Sequence, residues 1–402
     1  MPSSLDAADT DTSGGQRVRV VHVITGLGLG GAELVLLRLL ESLDPSSYSS
    51  RVVSLTGKGE LGERIRDLDI PLLTLDLRGA SSFVPSIRRI REAIKLPEAD
   101  VVQGWMYHGN LACLLGARKP PAPAIVWNLR TAAMDSLARR PGTWFVLILS
   151  ALLSRLPRVV IANSSSGLQY HTRRGFRPRE WALIENGVDT TIFRPDPVAR
   201  RRARQSLGLP AEATIIGAVA RFHPQKDHRT FVRAAGLLLR ARPETHFLLC
   251  GAGLTWENHD LAVWIAEAGA VDRFHLLGPR YDMPDVMSAI DYFSLTSIGG
   301  EGFPNVVAEA MACGVPCIVT DVGDSAALVG DTGRVVPPGD PQALAAAWED
   351  LLAAGPAVRE QLGAAARRRI ESEFSLPKMV SKYEELYLRL AQDRGAERLS
   401  QL

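Results

Sequence analysis

The order of apolar and polar positions divides most of this chain, from about residue 18 to residue 336, into two kinds of segment. Short apolar runs rich in valine, isoleucine and leucine are typical of strands buried on both faces, and the longer amphipathic stretches between them predict helices. Strands that alternate with helices form parallel sheets with helices on both faces, so we predict an α/β fold. The predicted strands are VRVVHVIT, RVVSLT, PLLTLDL, DVVQG, PAIVWNL, RVVIAN, WALIE, TIIGAVA, HFLLC, FHLLG, DYFSLTS, VPCIVT and RVV.

A break in this pattern at residues 185–210 predicts a boundary between two domains. The segment is rich in turn-forming residues and arginine, and the strand and helix plan repeats on either side of it. At 402 residues the chain is long enough for two domains that each bury a core. We expect two doubly wound, Rossmann-like domains facing a cleft, residues 17–190 and 191–375, after a polar, disordered tail at residues 1–16.

The most informative stretch is residues 299–324, GGEGFPNVVAEAMACGVPCIVTDVGD. It predicts a glycine turn and a helix between two buried strands, with Pro304 in the first helical turn and Gly314 at the helix end. Ligands of open α/β sheets bind outside the carboxyl ends of the strands, where a helix N-terminus attracts anions. This turn is therefore a candidate phosphate site. Glu301 and Glu309 would repel an anion, so we expect them to accept hydrogen bonds from sugar or ribose hydroxyls, although two solvated acids would also fit the spacing.

The segment E-G-F-P-N at residues 301–305, the second glutamate at Glu309 and the run A-M-A-C-G-V-P-C-I-V-T-D after it resemble the nucleotide-sugar motif of the retaining glycosyltransferases of family 4. The resemblance extends from about residue 18 to residue 390. It implies the GT-B fold, in which the last helix, within residues 376–402 here, returns to the first domain. It also implies a nucleotide-diphosphate sugar as donor, with UDP the commonest nucleotide, and an acceptor from cell-surface polysaccharide or glycolipid synthesis.

The resemblance assigns roles to individual residues. It implies that Arg221 and Lys226 hold the diphosphate, that His108 contacts the donor sugar, and that these three act with Glu301 as the catalytic residues. Arginine grips phosphate through two parallel hydrogen bonds and lysine adds a mobile charge, so the residue types suit the task. Glu309 is expected to hold the ribose. Further donor contacts are expected from Phe303, Pro304, Asn305, Val306, Gly30, Gly31, Gly251 and Arg280.

The first predicted strand ends in the glycine-rich sequence GLGLGG, residues 26–31. The pattern G-x-G-x-x-G between a strand and a helix also fits an NAD-binding Rossmann domain, but no acid follows the second strand before Glu60, where a ribose contact is needed. The family resemblance instead implies a flexible loop over the cleft at Gly30 and Gly31, close to the donor phosphates or the acceptor, where glycine allows close backbone approach and positive φ. A tight turn without a ligand is the third interpretation.

Acceptor contacts are predicted at the ends of two strands of the first domain. Trp105 and Tyr107 flank the cleft in this interpretation, although aromatic packing in the core fits them equally well. Arg130 is expected to meet the acceptor or a phosphate, because it follows the fifth strand.

Composition limits the cell compartment and the classes of partner that we expect. The net charge is only +2 and basic residues are scattered, which argues against nucleic acid as a partner. The chain start does not resemble a secretory signal, and the longest apolar run, residues 143–154, is too short to span a bilayer, so we expect a cytoplasmic protein. The run predicts a buried helix; contact with the inner leaflet through its flanking arginines is the alternative. The four cysteines are expected to be reduced core residues.

We therefore predict a retaining glycosyltransferase that transfers a sugar from a nucleotide-diphosphate donor, with UDP favoured by family frequency, to a glycan or lipid-linked acceptor. No metal is expected to be needed, because Arg221 and Lys226 can neutralise the leaving diphosphate. Two alternatives stay open at this point: a protein of the same fold that binds sugar nucleotides without turnover, and a glycosyltransferase that acts on a soluble small molecule.

Overall fold

The structure, a computed structural model, describes residues 17–77, 86–94, 99–115, 122–131 and 141–399. The predicted tail at residues 1–16 lies outside these ranges. Within them, every predicted strand is present, with ends that differ from the prediction by a few residues. The strands of the first domain are β1 (Val18–Ile24), β2 (Tyr48–Ser54), β3 (Leu72–Thr74), β4 (Val101–Trp105), β5 (Ala124–Leu129), β6 (Val159–Ala162) and β7 (Trp181–Leu183). Those of the second are β8 (Ile215–Val219), β9 (His246–Cys250), β10 (Phe274–Leu276), β11 (Tyr292–Leu295), β12 (Cys317–Thr320) and β13 (Arg334–Val336).

Helices connect successive strands throughout both domains. The helices of the first domain are α1 (Gly31–Ser42), α2 (Gly62–Arg66), α3 (Ile87–Ile94), α4 (Met106–Cys113), α5 (Pro141–Leu153) and α6 (Ser165–Arg173). They are followed by α7 (Pro197–Ser206), α8 (His228–Leu238), α9 (His259–Glu267), α10 (Met283–Ala289), α11 (Asn305–Ala312), α12 (Ser325–Val329), α13 (Pro341–Ala353), α14 (Gly355–Glu373) and α15 (Leu376–Leu399).

Each domain contains one parallel sheet with a point where the strand order reverses. The seven-stranded sheet has the order β3-β2-β1-β4-β5-β6-β7, and the six-stranded sheet has the order β10-β9-β8-β11-β12-β13. The reversals lie between β1 and β4 and between β8 and β11. Because crossover helices leave in opposite directions at such a point, a crevice opens at the carboxyl ends of the two strands. The glycine-rich loop and His108 border the first crevice; Arg221, Lys226 and Glu301 border the second.

The last helix, α15, packs against the first domain rather than the second. Its inner face contributes Met379, Val380, Tyr383, Leu386, Tyr387 and Leu390 to the core that contains β1 and β4. The two tyrosines are fully buried and satisfied: the Tyr387 hydroxyl donates to Gln103 Oε1 at 2.8 Å, and the Tyr383 hydroxyl accepts from Asn128 Nδ2 at 2.7 Å. Burial of these long aromatic side chains anchors the returning helix.

The arginine-rich break has a structural purpose in the second domain. It forms α7, whose Arg200 and Arg204 side chains both pair with the buried carboxylate of Asp291 at 2.7 Å, just before β11. Arg359 of α14 pairs with the same carboxylate. A buried charge is stable only when it is paired and hydrogen-bonded, so these arginines fix two helices against the start of the strand that leads to Glu301.

The prediction that residues 143–154 form a buried helix is wrong in part. The run does form a helix, α5, and Leu147 is buried, but Trp144, Phe145 and Leu152 are 55%, 62% and 73% exposed. A helix that is apolar on all sides has more apolar surface than one sheet face can cover. The segment therefore leaves large apolar side chains at the surface of the first domain.

Two smaller predictions are refined by the structure. Pro304 occupies the capping position in extended conformation, one residue before α11 begins, instead of the first helical turn. The four cysteines are free and buried, as predicted. None of the helices in the described ranges has the combination of length and apolar character needed to cross a bilayer.

Close packing between α11 and α14 gives a test of the second domain's architecture. A Cβ at Gly363 of α14 would lie 2.0 Å from the carbonyl oxygen of Gly314, which allows no room for a methyl group. We expect Gly363→Ala to lower the free energy of unfolding by about 2 kcal/mol or more, because backbone on both sides must move.

Gly395 in α15 is the matched control, because a Cβ there meets nothing within 4 Å. Gly395→Ala should leave stability unchanged or raise it by up to about 1 kcal/mol through helix propensity. Denaturant unfolding of both variants measures the difference. Equal stabilities would contradict the described packing.

Candidate active site

Lys226 and Glu301 meet at the reversal point of the second sheet. The Lys226 ammonium and the Ser297 hydroxyl both donate to Oε1 of Glu301 at 2.5 Å. The Glu301 side chain is buried, whereas Lys226 remains a quarter exposed. The Thr296 hydroxyl also donates to the carbonyl oxygen of Lys226 at 2.8 Å, which ties the loop after β8 to the loop after β11. An ammonium group has three N–H donors, so two remain for another acceptor.

This pairing differs from the separate roles predicted from sequence. Glu301 was expected on a sugar hydroxyl and Lys226 on the diphosphate, and instead the two side chains bind each other across the turn. Oε2 of Glu301 has no hydrogen-bond partner in the described part of the chain. Both expectations remain compatible with the pair. Oε2 of Glu301 can accept a hydrogen bond from a sugar hydroxyl, and the Lys226 ammonium can still donate two hydrogen bonds to a phosphate.

Arg221 stands exposed at the end of β8 and forms no ion pair with the residues that the structure describes. Its backbone is fixed from two sides. The His228 ring contacts the Arg221 carbonyl oxygen at 3.1 Å, and Gly251, with φ of +145°, lets the neighbouring loop approach so closely that a Cβ would lie 2.0 Å from the oxygen of Ala220. The exposed Arg221 side chain is thus anchored, through its backbone, to the loop after β8. Arg280, in contrast, already forms two hydrogen bonds to Asp282 in its own loop.

Glu309 lies in the second turn of α11 and is partly buried. Neither carboxylate oxygen has a hydrogen-bond partner among the described residues. Burial raises the pKa of this carboxyl from 4.5 to about 7, and the charge of Arg38 in the first domain opposes the shift. The partly desolvated Glu309 carboxylate is therefore well suited to accept hydrogen bonds from hydroxyl groups of a ligand.

The other residues of the 301–305 segment contribute mainly through their backbone. Phe303 is buried and packs against Phe374, with ring centroids 5.5 Å apart. Asn305 begins α11, and its Oδ1 accepts from Nδ2 of Asn186 at 2.6 Å. Pro304 is buried and Val306 packs against the core of the second domain. This packing holds the first N–H groups of α11 at the edge of the crevice.

In the first domain, His108 lies in the first turn of α4, two residues after Met106, whose φ is +61°. A non-glycine residue in this left-handed region is strained, and such residues cluster at functional sites. The imidazole is exposed at the crevice, and partial desolvation by the protein beneath lowers its pKa. The structure therefore brings His108 to the edge where the sequence placed it.

The prediction of acceptor contacts at Trp105 and Tyr107 is not supported, because both side chains are buried. Trp105 donates to His22 Nδ1 at 3.3 Å and stacks on Tyr383, and the Tyr107 hydroxyl lies 2.7 Å from His171 Nε2. Trp105 ends β4 and packs in the core that also contains α15, whereas Tyr107 lies in the first turn of α4 and packs in a separate core cluster of the first domain. Core packing, the alternative, is what the structure contains.

Arg130 is also engaged within the protein. Its guanidinium donates to the Tyr383 hydroxyl at 2.9 Å, to Asn128 Oδ1 at 3.3 Å and to Asn186 Oδ1, and it lies over the Trp105 ring. Because Asn186 in turn donates to Asn305, Arg130 is linked to the start of α11 rather than directed at an acceptor.

Neither Gly30 nor Gly31 adopts the positive φ that glycine allows. Gly30 caps α1 with φ of −98°, and Gly31 is not among the positive-φ residues. A Cβ at Gly31 would meet nothing within 4 Å, so the space in front of this helix start is open. The loop leaves room at the crevice without backbone strain.

Comparisons with known proteins identify the family of this chain. Family models described as "Glycosyl transferases group 1" and "Glycosyltransferase Family 4" match residues 213–354 and 29–192. The D-inositol 3-phosphate glycosyltransferase of Thermobispora bispora is 34% identical over 87% of this chain and 84% of the relative. The protein belongs to the group 1, family 4 glycosyltransferases. It is therefore a transferase that moves glycosyl groups, and the non-catalytic and NAD-dependent interpretations no longer apply.

Two further similarities place this glycosyltransferase among its relatives. The UDP-Gal:alpha-D-GlcNAc-diphosphoundecaprenol alpha-1,3-galactosyltransferase of Escherichia coli is 23% identical over 78% of this chain and 82% of the relative. The crystal structure of Anabaena Alr3699/HepE in complex with UDP superposes with a TM-score of 0.78 at 22% identity, covering 92% of this chain and 99% of that one. The same Anabaena protein was also crystallised with UDP-glucose. The structural likeness supports the GT-B fold.

Sequence reasoning missed several residues at the crevice of this glycosyltransferase. Asn186 and Asp324 both form contacts between the two domains, and Arg38 of α1 acts on the charge of Glu309. Asn186 and Asp324 stand inside segments that the sequence analysis singled out, at residues 185–210 and 299–324. Their partners lie more than 100 positions away in the chain, so spacing alone gave no signal.

The raised pKa of Glu309 gives a stability test with a defined sign. Well below pH 4.5 the carboxyl is protonated in both states, so its ionisation does not affect the free energy of unfolding. As the pH rises from 4.5 to 7, the unfolded chain loses this proton first, so the contribution of Glu309 to the free energy of unfolding falls, by at most roughly 3 kcal/mol. Above about pH 7 the contribution stays constant.

Glu309→Gln lacks this titration. Denaturant curves of the wild type and the variant between pH 5 and 8 should therefore show the wild type losing stability relative to Glu309→Gln as the pH rises. A stability difference that is independent of pH would show that the carboxyl ionises as freely in the folded protein as in the unfolded chain.

Proposed function

We propose that this glycosyltransferase transfers a sugar, with retention of the anomeric configuration, from a UDP-sugar to a lipid-linked glycan in cell-surface polysaccharide or glycolipid synthesis. The observation that carries the proposal is the grouping at the reversal point of the second sheet. There Arg221, the ammonium of Lys226, the N-terminus of α11 and Glu309 lie on one edge, and neither Arg221 nor Glu309 has a side-chain partner among the described residues. Positive groups and a hydroxyl acceptor on one edge match a nucleotide diphosphate.

The chemistry requires these groups in these positions. Cleavage of the bond between the sugar and the diphosphate develops oxocarbenium character on the sugar and negative charge on the leaving group. Arg221, Lys226 and the first N–H groups of α11 would stabilise the leaving diphosphate. Glu309 would bind the ribose hydroxyls, and the free oxygen of Glu301 would bind a sugar hydroxyl. His108, from the opposite domain, would contact the sugar once the domains enclose it.

Similar proteins support the choice of donor and acceptor. The Anabaena protein binds UDP and UDP-glucose in its crystals, and the Escherichia coli relative uses UDP-galactose and an acceptor joined to diphosphoundecaprenol. A soluble phosphorylated acceptor is the second candidate, favoured by the 34% identity to an inositol 3-phosphate glycosyltransferase. We further propose that transfer needs no metal ion, because protein cations can carry the charge of the leaving diphosphate.

The donor site predicts the behaviour of three variants. Arg221→Ala and Lys226→Ala should each weaken UDP-sugar binding at least tenfold, because a charge-assisted hydrogen bond contributes about 1.5–3 kcal/mol. Arg233→Ala, an exposed arginine of α8 outside the crevice, is the matched control and should bind as the wild type does. Calorimetric titration with UDP-, GDP- and ADP-sugars measures the affinities.

Turnover assays complete the test. We expect transfer from a UDP-sugar to a polyprenyl-diphosphate-linked sugar, an unchanged anomeric configuration by NMR, and equal rates with and without EDTA. Transfer only to inositol phosphate would select the second candidate acceptor. Equal donor affinities in all three variants would rule out the proposed diphosphate site.

A lipid-linked acceptor requires access to a membrane, and the first domain has a surface suited to it. Trp144, Phe145, Leu152 and Leu156, at 55–73% exposure, form an apolar patch on and just after α5. The loop after α6 joins the end of this patch, because the Arg177 backbone N–H donates to Ser154 Oγ at 2.8 Å. From residue 136 to residue 179 the sequence contains arginines but no aspartate or glutamate. We propose that this patch contacts an anionic lipid surface.

Vesicle sedimentation tests this contact. The wild type should bind vesicles that contain phosphatidylglycerol more strongly than vesicles of phosphatidylcholine alone, and added salt should weaken the binding. The double variant Trp144→Glu with Phe145→Glu should lose at least tenfold in binding. Trp256→Glu, which changes an exposed tryptophan of the second domain, should not. Equal binding of the two variants would exclude the α5 patch as the contact.

A further inference from the structure

Among the described residues, two of the polar contacts between the domains lead to the 301–305 segment. One is the hydrogen bond from Asn186 to Asn305 at 2.6 Å, supported by Arg130 behind Asn186. The other involves Asp324, the last residue of the 299–324 stretch. Its carboxylate accepts from the backbone N–H of Ser165 at 2.6 Å and of Ser166 at 2.8 Å. Both donors belong to the first turn of α6 in the first domain.

Two of the N–H groups at the N-terminus of α6 find their hydrogen-bond acceptor in the other domain. Ser164 caps the helix from within the first domain, because its hydroxyl oxygen accepts from the Gly167 N–H at 3.0 Å. The N–H groups of Ser165 and Ser166 are bound by Asp324. A carboxylate at a helix N-terminus gains from charge-assisted hydrogen bonds and from the helix dipole.

On its own side, Asp324 is joined to the loop that carries Glu301. Its backbone N–H donates to the Gly302 carbonyl oxygen at 3.1 Å. The preceding Gly323 has φ of +62°, and a Cβ there would lie 2.2 Å from the Glu301 carbonyl oxygen. The chain at Asp324 therefore rests directly on the backbone of Glu301 and Gly302. A displacement of the Asp324 side chain is therefore expected to displace the loop that carries Glu301.

We propose that Asp324 is a positioning residue that couples closure of the two domains to the placement of Glu301 and Lys226. When α6 engages the Asp324 carboxylate, the first domain, with His108, is held against the donor site at a fixed distance from the Glu301 loop. When the contact breaks, the second domain keeps its donor groups, since Arg221, Lys226 and Glu309 all belong to it. This inference rests on the proposed donor site.

The coupling predicts a separation between donor binding and turnover. Asp324→Ala removes both hydrogen bonds to α6 but keeps the backbone bond to Gly302. We expect kcat to fall about tenfold or more, while the Kd for the UDP-sugar without acceptor stays within about twofold. Each tenfold change corresponds to about 1.4 kcal/mol, which is within the range of one charge-assisted hydrogen bond.

A reciprocal variant removes the contact from the other side. Ser165→Pro deletes one donor N–H, and proline suits this position because Ser165 is the first residue of α6 and Ser164 is extended, with φ of −160° and ψ of 150°. The matched control is Asp340→Ala. Asp340 caps α13 by accepting from the Ala343 N–H at 2.9 Å, which is the same chemistry within one domain.

The experiment combines kinetics, donor titration and small-angle X-ray scattering for the wild type and the three variants. We expect Asp324→Ala and Ser165→Pro to lose kcat with donor Kd preserved and to show a larger radius of gyration, whereas Asp340→Ala lowers Tm only. A kcat within twofold of the wild type in Asp324→Ala, or an equal loss of kcat in Asp340→Ala, would overturn the coupling. If the wild type neither turned over nor bound any donor, the proposed function would be refuted instead. The scattering comparison would still test the contact between Asp324 and α6. An unchanged radius of gyration in Asp324→Ala and Ser165→Pro would reject this contact.

Discussion

The structure of the site depends on the ion pair between Lys226 and Glu301. An ammonium group on the loop after β8 and a buried carboxylate on the loop after β11 share a hydrogen bond of 2.5 Å, with Ser297 on the same oxygen. A buried carboxylate is costly unless it is paired and hydrogen-bonded. The pair therefore requires the two loops to lie side by side. Their proximity fixes the turn before α11, and with it the helix start that faces the crevice.

The parallel sheets bring these loops together in the first place. Strands β8 and β11 are neighbours in the sheet although about 75 residues separate them in the chain, and both end on the same edge. The reversal of strand order between them leaves no crossover helix above that edge. The same arrangement occurs in the first sheet, where β1 and β4 end at the glycine-rich loop and His108. Both crevices thus lie at a reversal of strand order. The second domain contributes the cations Arg221 and Lys226, and the first domain contributes the exposed imidazole of His108.

Contacts between the domains converge on the same short segment. Asn305 is reached from Arg130 and Tyr383 through Asn186, and the loop of Glu301 and Gly302 is reached from α6 through Asp324. The returning helix α15 joins the first of these networks, because Tyr383 belongs to it. A side chain predicted to meet the acceptor, Arg130, is thereby part of the connection between the domains. Several polar residues around the crevice, among them Arg130, Asn186 and Asp324, are thus bound to other protein groups.

The sequence by itself determined the strands, the two-domain plan, the placement of Arg221, Lys226 and Glu301 in loops that follow strands, and the placement of Glu309 in the next helix. These features follow from local causes: hydrophobic period, turn chemistry and short motifs. Only the tertiary structure decided that Lys226 pairs with Glu301, that Trp105 and Tyr107 are core residues, that α5 leaves Trp144 and Phe145 exposed, and that Asp324 caps a helix of the other domain. Those outcomes depend on which face of an element meets another element. That choice is made by packing between residues far apart in the chain, and spacing along the sequence does not encode it.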